Sequence, residues 1–82
     1  MHCIYLLKSK KDDRFYVGFT SDLNRRYREH QNGKVKSTKN RRPLELIYCE
    51  FYKEEYLARE REVNLKKSGS AYNALMKRLK YK

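Results

Sequence analysis

No apolar stretch of this chain is long enough to cross a bilayer; the longest, such as Cys3-Ile4-Tyr5-Leu6-Leu7, are only of strand length. No pattern of basic, apolar and small residues opens it as a signal peptide does, so a soluble protein of the cytoplasm with no membrane partner is expected. Cysteine is limited to Cys3 and Cys49, each alone within a strand-like run. Two isolated cysteines give no metal-ligand spacing and are expected as buried thiols rather than as a disulfide. Internal repeats, low-complexity linkers and domain boundaries are also lacking. Acidic residues are scarce: ten Asp and Glu stand against 21 Lys and Arg, a formal charge of +11. That imbalance points to a polyanionic partner, most simply DNA or RNA, because neutralising phosphates releases condensed counterions. A charge kept only for solubility is the other reading. Residues 1–43 carry twelve Lys and Arg against four Asp and Glu, and residues 44–82 nine against six, so the excess lies in the first half.

With 82 residues, the chain makes a single domain over 1–82, with room for one modest core. Apolar, aromatic and β-branched residues dominate from Cys3 to Leu7 and again from Phe15 to Phe19, which predicts two strands. The polar run Lys8 to Asp13 joins them as a hairpin. If the turn centres on Lys10-Lys11, Tyr5 stands directly opposite Tyr16 and both phenols project from one face. Thr20-Ser21-Asp22 supplies capping residues for a helix over 23–31, ended by Asn32-Gly33. Leu23, Tyr27 and His30 mark its inward face, and Arg26 shares that face. Such an arginine either snorkels to an internal carboxylate or presents its guanidinium to a phosphate.

Lys34 to Arg42 has five basic residues in nine and neither helical nor strand periodicity. It is expected as a loop whose cations and hydroxyls hold a sugar-phosphate backbone, or else as a solvated charge run. The phosphate-binding set is then Arg25, Lys34, Lys36, Ser37, Thr38, Lys39, Arg41 and Arg42. Pro43 starts a third strand over 44–52, with Ile47, Cys49 and Phe51 on one face and Leu46, Tyr48, Glu50 and Tyr52 on the other. Helices follow near 54–67, with Leu57, Ala58 and Leu65 inward, and near 71–79, with Leu75 and Leu79 inward. Lys77, Arg78, Lys80 and Lys82 extend the basic surface or form a solvated tail. The fold class is therefore α/β (α+β): a small, mainly antiparallel three-stranded sheet flanked by three helices.

The ordered set Cys3-Ile4-Tyr5, Tyr16-Val17-Gly18, Arg26, His30 and Arg61-Glu62 resembles the GIY-YIG nuclease superfamily, and in particular its small single-domain bacterial excinuclease-like group. The resemblance covers nearly the whole chain. It implies a one-metal endonuclease acting on DNA, with Tyr5, Tyr16, Arg26, His30 and Glu62 in the active site. Glu62 would hold Mg²⁺ or Mn²⁺, a hard cation suited to oxygen ligands. Periodicity alone does not choose between Glu62 and Glu60; the Arg61-Glu62 match selects Glu62. Two positions depart from the family pattern. Cys3 replaces the glycine that opens the first motif, and the family's late asparagine has only Asn73 as a candidate. With no recognition domain attached, a separate targeting protein would direct the nuclease. A nucleic-acid-binding module without turnover and a basic protein-interaction domain are the alternatives.

Overall fold

The computed structural model describes residues 1–81; Lys82, expected to add to the basic surface, lies outside them. The elements run β1 (His2–Ser9), β2 (Phe15–Thr20), α1 (Leu23–Gln31), β3 (Leu44–Tyr52), α2 (Glu55–Lys67) and α3 (Gly69–Arg78). The strands form one antiparallel sheet in the order β2-β1-β3. This is the expected α+β class. β1 is central and covered on both faces, which explains why Cys3 to Leu7 are all buried and read as continuously apolar rather than alternating.

Each sheet face carries its own core. Cys3, Tyr5, Leu7 and Leu44 pack with Leu23 and Tyr27 of α1. Ile4, Leu6 and Val17 pack with Ala58 and Leu65 of α2 and Leu75 and Met76 of α3. On α2 the expected stripe is off by one position at Leu57, which is exposed; Ala58, Arg61, Glu62 and Leu65 face inward instead. On α3, Met76 is buried alongside Leu75, while Leu79 is only half-buried.

The hairpin register differs from the expected one. Tyr5 pairs with Gly18 and Tyr16 with Leu7. The turn is centred one residue later because Ser9 organises it: its Oγ accepts from the backbone N–H groups of Lys11 and Asp12 at 3.1 and 3.2 Å. Asp13, in a left-handed conformation that Asp tolerates, donates its N–H back to the Ser9 carbonyl. A centre moved by one residue slides the pairing by two, an even number, so Tyr5 and Tyr16 stay on the same face but sit diagonally.

Strand β3 also departs from simple alternation. Leu6 pairs with Tyr48 and Leu7 with Leu46, leaving Ile47 as a bulge. Leu46 and Cys49 therefore share the α1 face, while Ile47, Tyr48 and Tyr52 face α2 and α3.

The segment between α1 and β3 is not a solvated run. Val35 and Thr38 are buried, backbone bonds from Thr38 and Lys39 to the Val35 carbonyl fold it back, and a short 3-10 turn spans Lys39–Arg41. Ser9 Oγ donates to the Arg41 carbonyl at 2.6 Å, tying this segment to the hairpin.

Candidate active site

Gly18 makes room for the first candidate side chain, that of Tyr5. A Cβ there would stand 2.3 Å from Tyr5 Cζ and from Tyr5 Oη, so the phenol can cross β2 only because this position has no side chain. Tyr16 follows diagonally, its ring centroid 6.3 Å from that of Tyr5. Helix α1 begins immediately after β2. Asp22 caps it by accepting from the Arg25 N–H at 3.1 Å, which sets the rotation that brings Tyr27 and His30 onto the sheet.

His30 is fully buried and meets both tyrosines edge-on, with centroids 5.6 Å from Tyr5 and 5.2 Å from Tyr16. Its Nε2 lies 2.8 Å from Tyr5 Oη and its Nδ1 2.7 Å from Thr38 Oγ1. Arg26, one turn earlier on the same face, pairs with Glu29 at 3.0 Å. Glu62 comes from α2, which packs along β2, and accepts from Lys66 Nζ at 2.9 Å. Lys66 Nζ itself stands 6.0 Å from the Tyr16 ring centroid. Glu60 is exposed, so of the two carboxylates Glu62 is the half-buried one near the phenols.

Electrostatics bind these residues into one site. Burial pushes the Tyr5 phenol up to about 12; the Arg26 guanidinium opposes the shift, and Tyr16 and Glu62 add to it. Burial also drives His30 down to about 4, reinforced by the Arg26 charge and opposed by Glu29. The imidazole is therefore neutral near pH 7, with one ring nitrogen free to accept.

Beside Tyr16 opens a cleft of about 390 Å³ lined by Phe15, Val17, Leu65, Lys66, Gly69 and Tyr72 among others. Asn73 is exposed on α3, the residue after Tyr72. Of the cations expected to meet phosphates, Arg25, Lys34, Lys36 and Lys39 are exposed, as is Ser37. Arg41 is half-buried and contacts Asp12 at 3.3 Å. Arg42 donates to the Lys39 carbonyl and lies against Gly33, where a Cβ would come within 2.9 Å of its guanidinium. Thr38 corrects the sequence reading outright: it is buried against His30 and cannot reach a backbone phosphate. Nothing in its sequence context separates it from the exposed Ser37. Gly18 and Lys66 touch the site without standing among the candidate residues, although Gly18 closes the Tyr-Val-Gly motif and the i,i+4 spacing of Lys66 from Glu62 predicts the pair observed.

Residues 1–77 match the GIY-YIG catalytic domain family. The chain belongs to the GIY-YIG family. Within it the chain is similar to small proteins named UPF0213. One from Clostridium perfringens is 40% identical over 68 residues, covering 82% of this chain and 72% of the relative. YazA of Bacillus subtilis is 42% identical over 67 residues, covering 80% of this chain and 67% of the relative. The solution NMR structure of a UPF0213 protein from Bacillus halodurans superposes with a TM-score of 0.59 at 31% identity, covering 93% of this chain and 82% of that one. A GIY-YIG domain is a nuclease-type domain, so its substrate class is nucleic acid.

Among the described residues, no three His, Cys, Asp or Glu side chains converge on one point. Of the residues expected in the site, Glu62 is the one carboxylate, and it is half-buried. It fits only a hard cation whose remaining positions are filled by water and by a substrate phosphate.

Proposed function

We propose that this GIY-YIG protein hydrolyses phosphodiester bonds in DNA at the cluster of Tyr5, Tyr16, Arg26, His30 and Glu62, beside the cleft that Tyr16 lines. The observation that carries the reading is the packing of two phenols and a neutral imidazole into one cluster, with a guanidinium on one flank and a carboxylate on the other. Arg26 would exchange Glu29 for the scissile phosphate and offset the charge that grows on it. Its present i,i+3 pair contributes only about 0.3–0.5 kcal/mol, so the exchange costs little. Tyr5 is bonded to a ring nitrogen that can receive its proton, while half-buried Tyr16 orients the attacking water. Glu62 would hold Mg²⁺ or Mn²⁺, which when bound supplies Lewis-acid stabilisation of the phosphoryl oxygens.

Recognition in this reading is of backbone and shape, because the exposed cations Lys36 and Lys39 adjoin Thr38, which is bonded to His30. Branched, nicked or flapped DNA, as arises in repair and recombination in the cytoplasm, suits such recognition, and a separate protein would supply targeting. No helix among the described residues is long and apolar enough to cross a membrane.

A second reading has its own support. Arg26 and Glu62 are both paired with neighbours on their own helices, and Tyr5 is almost wholly covered, as in a nucleic-acid-binding domain without turnover. Labelled linear, nicked, flapped and branched DNA incubated with Mg²⁺, Mn²⁺ or chelator separates the two. Cleavage that requires the cation is expected. Salt-sensitive binding that is indifferent to the cation, with no product from any substrate, would replace the hydrolytic reading with the binding one.

A further inference from the structure

We propose that Thr38 is a positioning residue. Its hydroxyl accepts from Nδ1–H of His30, fixes that tautomer, and turns the Nε2 lone pair toward Tyr5 as the acceptor of the phenol's proton. The catalytic consequence rests on the hydrolytic reading above; the tautomer itself does not.

The geometry is that of a buried relay. Tyr5 Oη, His30 Nε2, His30 Nδ1 and Thr38 Oγ1 follow one another through contacts of 2.8 and 2.7 Å, and all three side chains are at most 1% exposed. A phenol is a strong donor and an unprotonated imidazole nitrogen a strong acceptor. The Arg26 guanidinium beside Tyr5 has no lone pair to receive the phenol hydrogen, whereas His30 Nε2, 2.8 Å from Oη, does. The hydrogen therefore belongs on the line from Tyr5 Oη to Nε2, which leaves the imidazole hydrogen on Nδ1. Thr38 completes the chain as the neutral counterpart of a carboxylate that orients a catalytic histidine.

Thr38 is held for this task by the main chain: its N–H donates to the Val35 carbonyl and its carbonyl accepts from the Arg41 N–H. The charged groups around the imidazole are Arg26 and Glu29 on α1, with the titratable phenols of Tyr5 and Tyr16 on the strands.

The proton transfers accompany attack: as the water oxygen bonds to phosphorus, its proton moves to Tyr5 Oη while the phenol hydrogen moves onto His30 Nε2, so no free phenolate forms. The P–O bond to the leaving oxygen breaks. The imidazolium returns its proton through Tyr5 to that leaving oxygen, which departs as the hydroxyl. Thr38 accepts from Nδ1–H throughout, so the ring does not turn away while it carries charge.

Long-range nitrogen-15 NMR on the unmodified protein reads the His30 tautomer without any substrate. Nδ1 protonated and Nε2 bare is the expected pattern; the reverse pattern overturns the proposal, whether or not DNA is cut. Thr38→Val should mix the two tautomers and lower kcat about 10-fold or more, part of the roughly 10²–10⁴ that a positioned proton acceptor contributes, with KM little changed. Thr38→Ser should restore both. A Thr38→Val protein that folds, keeps the single tautomer and keeps kcat would also overturn it. Failure of every form to cleave DNA, with the expected tautomer in the unmodified protein, would sink the hydrolytic reading and leave the positioning of His30 standing.

Discussion

Two clusters in this domain use the same residue types and come to opposite ends. Tyr48, Glu50 and Tyr52 of β3 join Arg61 of α2 on one side of the sheet; Tyr5, beside Tyr16, feels the charges of both Arg26 of α1 and Glu62 of α2. In the first, Glu50 accepts from Tyr48 at 2.6 Å, from Tyr52 at 2.7 Å and from two nitrogens of Arg61 at 3.0 to 3.2 Å. Burial alone would raise its carboxyl, yet those donors hold it below the ordinary carboxylate value. In the second, carboxylate and guanidinium do not bond each other. Glu62 leans on Lys66 and Arg26 on Glu29, each a neighbour within its own helix. A polar set that closes on itself, as around Glu50, joins strand to helix and has nothing left to offer a ligand. A set whose charges are only loosely paired can trade those partners for a phosphate and a cation.

The largest effect that would break this contrast is expected at Arg26. Arg26→Ala should lower the rate of DNA cleavage by about 10²–10³-fold, the usual cost of removing one charge-stabilising donor, while the melting temperature moves little. An equal loss of rate and stability would erase the distinction between the clusters.

Acid separates them next. His30, held near 4 when folded and titrating near 6.5 when unfolded, lets the unfolded chain bind a proton first, so stability should fall between pH 6.5 and 4 by roughly 3 kcal/mol. Glu50 acts in the other window: its depressed carboxyl stabilises the fold above about pH 4.5, and that contribution is lost as pH drops through its folded value. Denaturant melts across pH should therefore show two successive losses, and His30→Gln should remove only the upper one.

Gly18→Ala should come third. The added Cβ collides with Tyr5, which is backed by the sheet, so about 2 kcal/mol of stability and the cleavage activity should fall together in melts and assays. The smallest effect belongs to the exposed cations. Lys36→Ala with Lys39→Ala should weaken DNA binding and reduce its logarithmic salt slope by up to about 2, read from binding isotherms at several ionic strengths.

What could be read from residues alone follows the same divide between local and distant causes. The bounds of α1 and β3 agree with expectation because Asp22, Asn32-Gly33 and Pro43 act within a few residues of the boundaries they set. The inward face of α1 was equally local, since Leu23, Tyr27 and His30 need only helical spacing. The hairpin register was missed because Ser9, outside the turn, organises it with its side chain. The β3 faces were missed because a bulge at Ile47 answers to pairing with β1, which local alternation does not encode. Thr38 was placed among phosphate ligands for a similar reason: its burial depends on Val35 anchoring the segment and on His30 arriving from another element. The residues of the candidate site were recognisable through the family resemblance, but their hydrogen-bond partners belong to the tertiary fold.

The most direct measurement sets the two glutamates side by side. Glu62→Gln and Glu50→Gln should be assayed for cation-dependent DNA cleavage and for thermal unfolding on the same preparations. Glu62→Gln is expected to abolish cleavage with an unchanged melting temperature, and Glu50→Gln to lower the melting temperature while the folded fraction still cuts. Cleavage that survives Glu62→Gln, or activity lost at Glu50→Gln without loss of stability, would contradict the account.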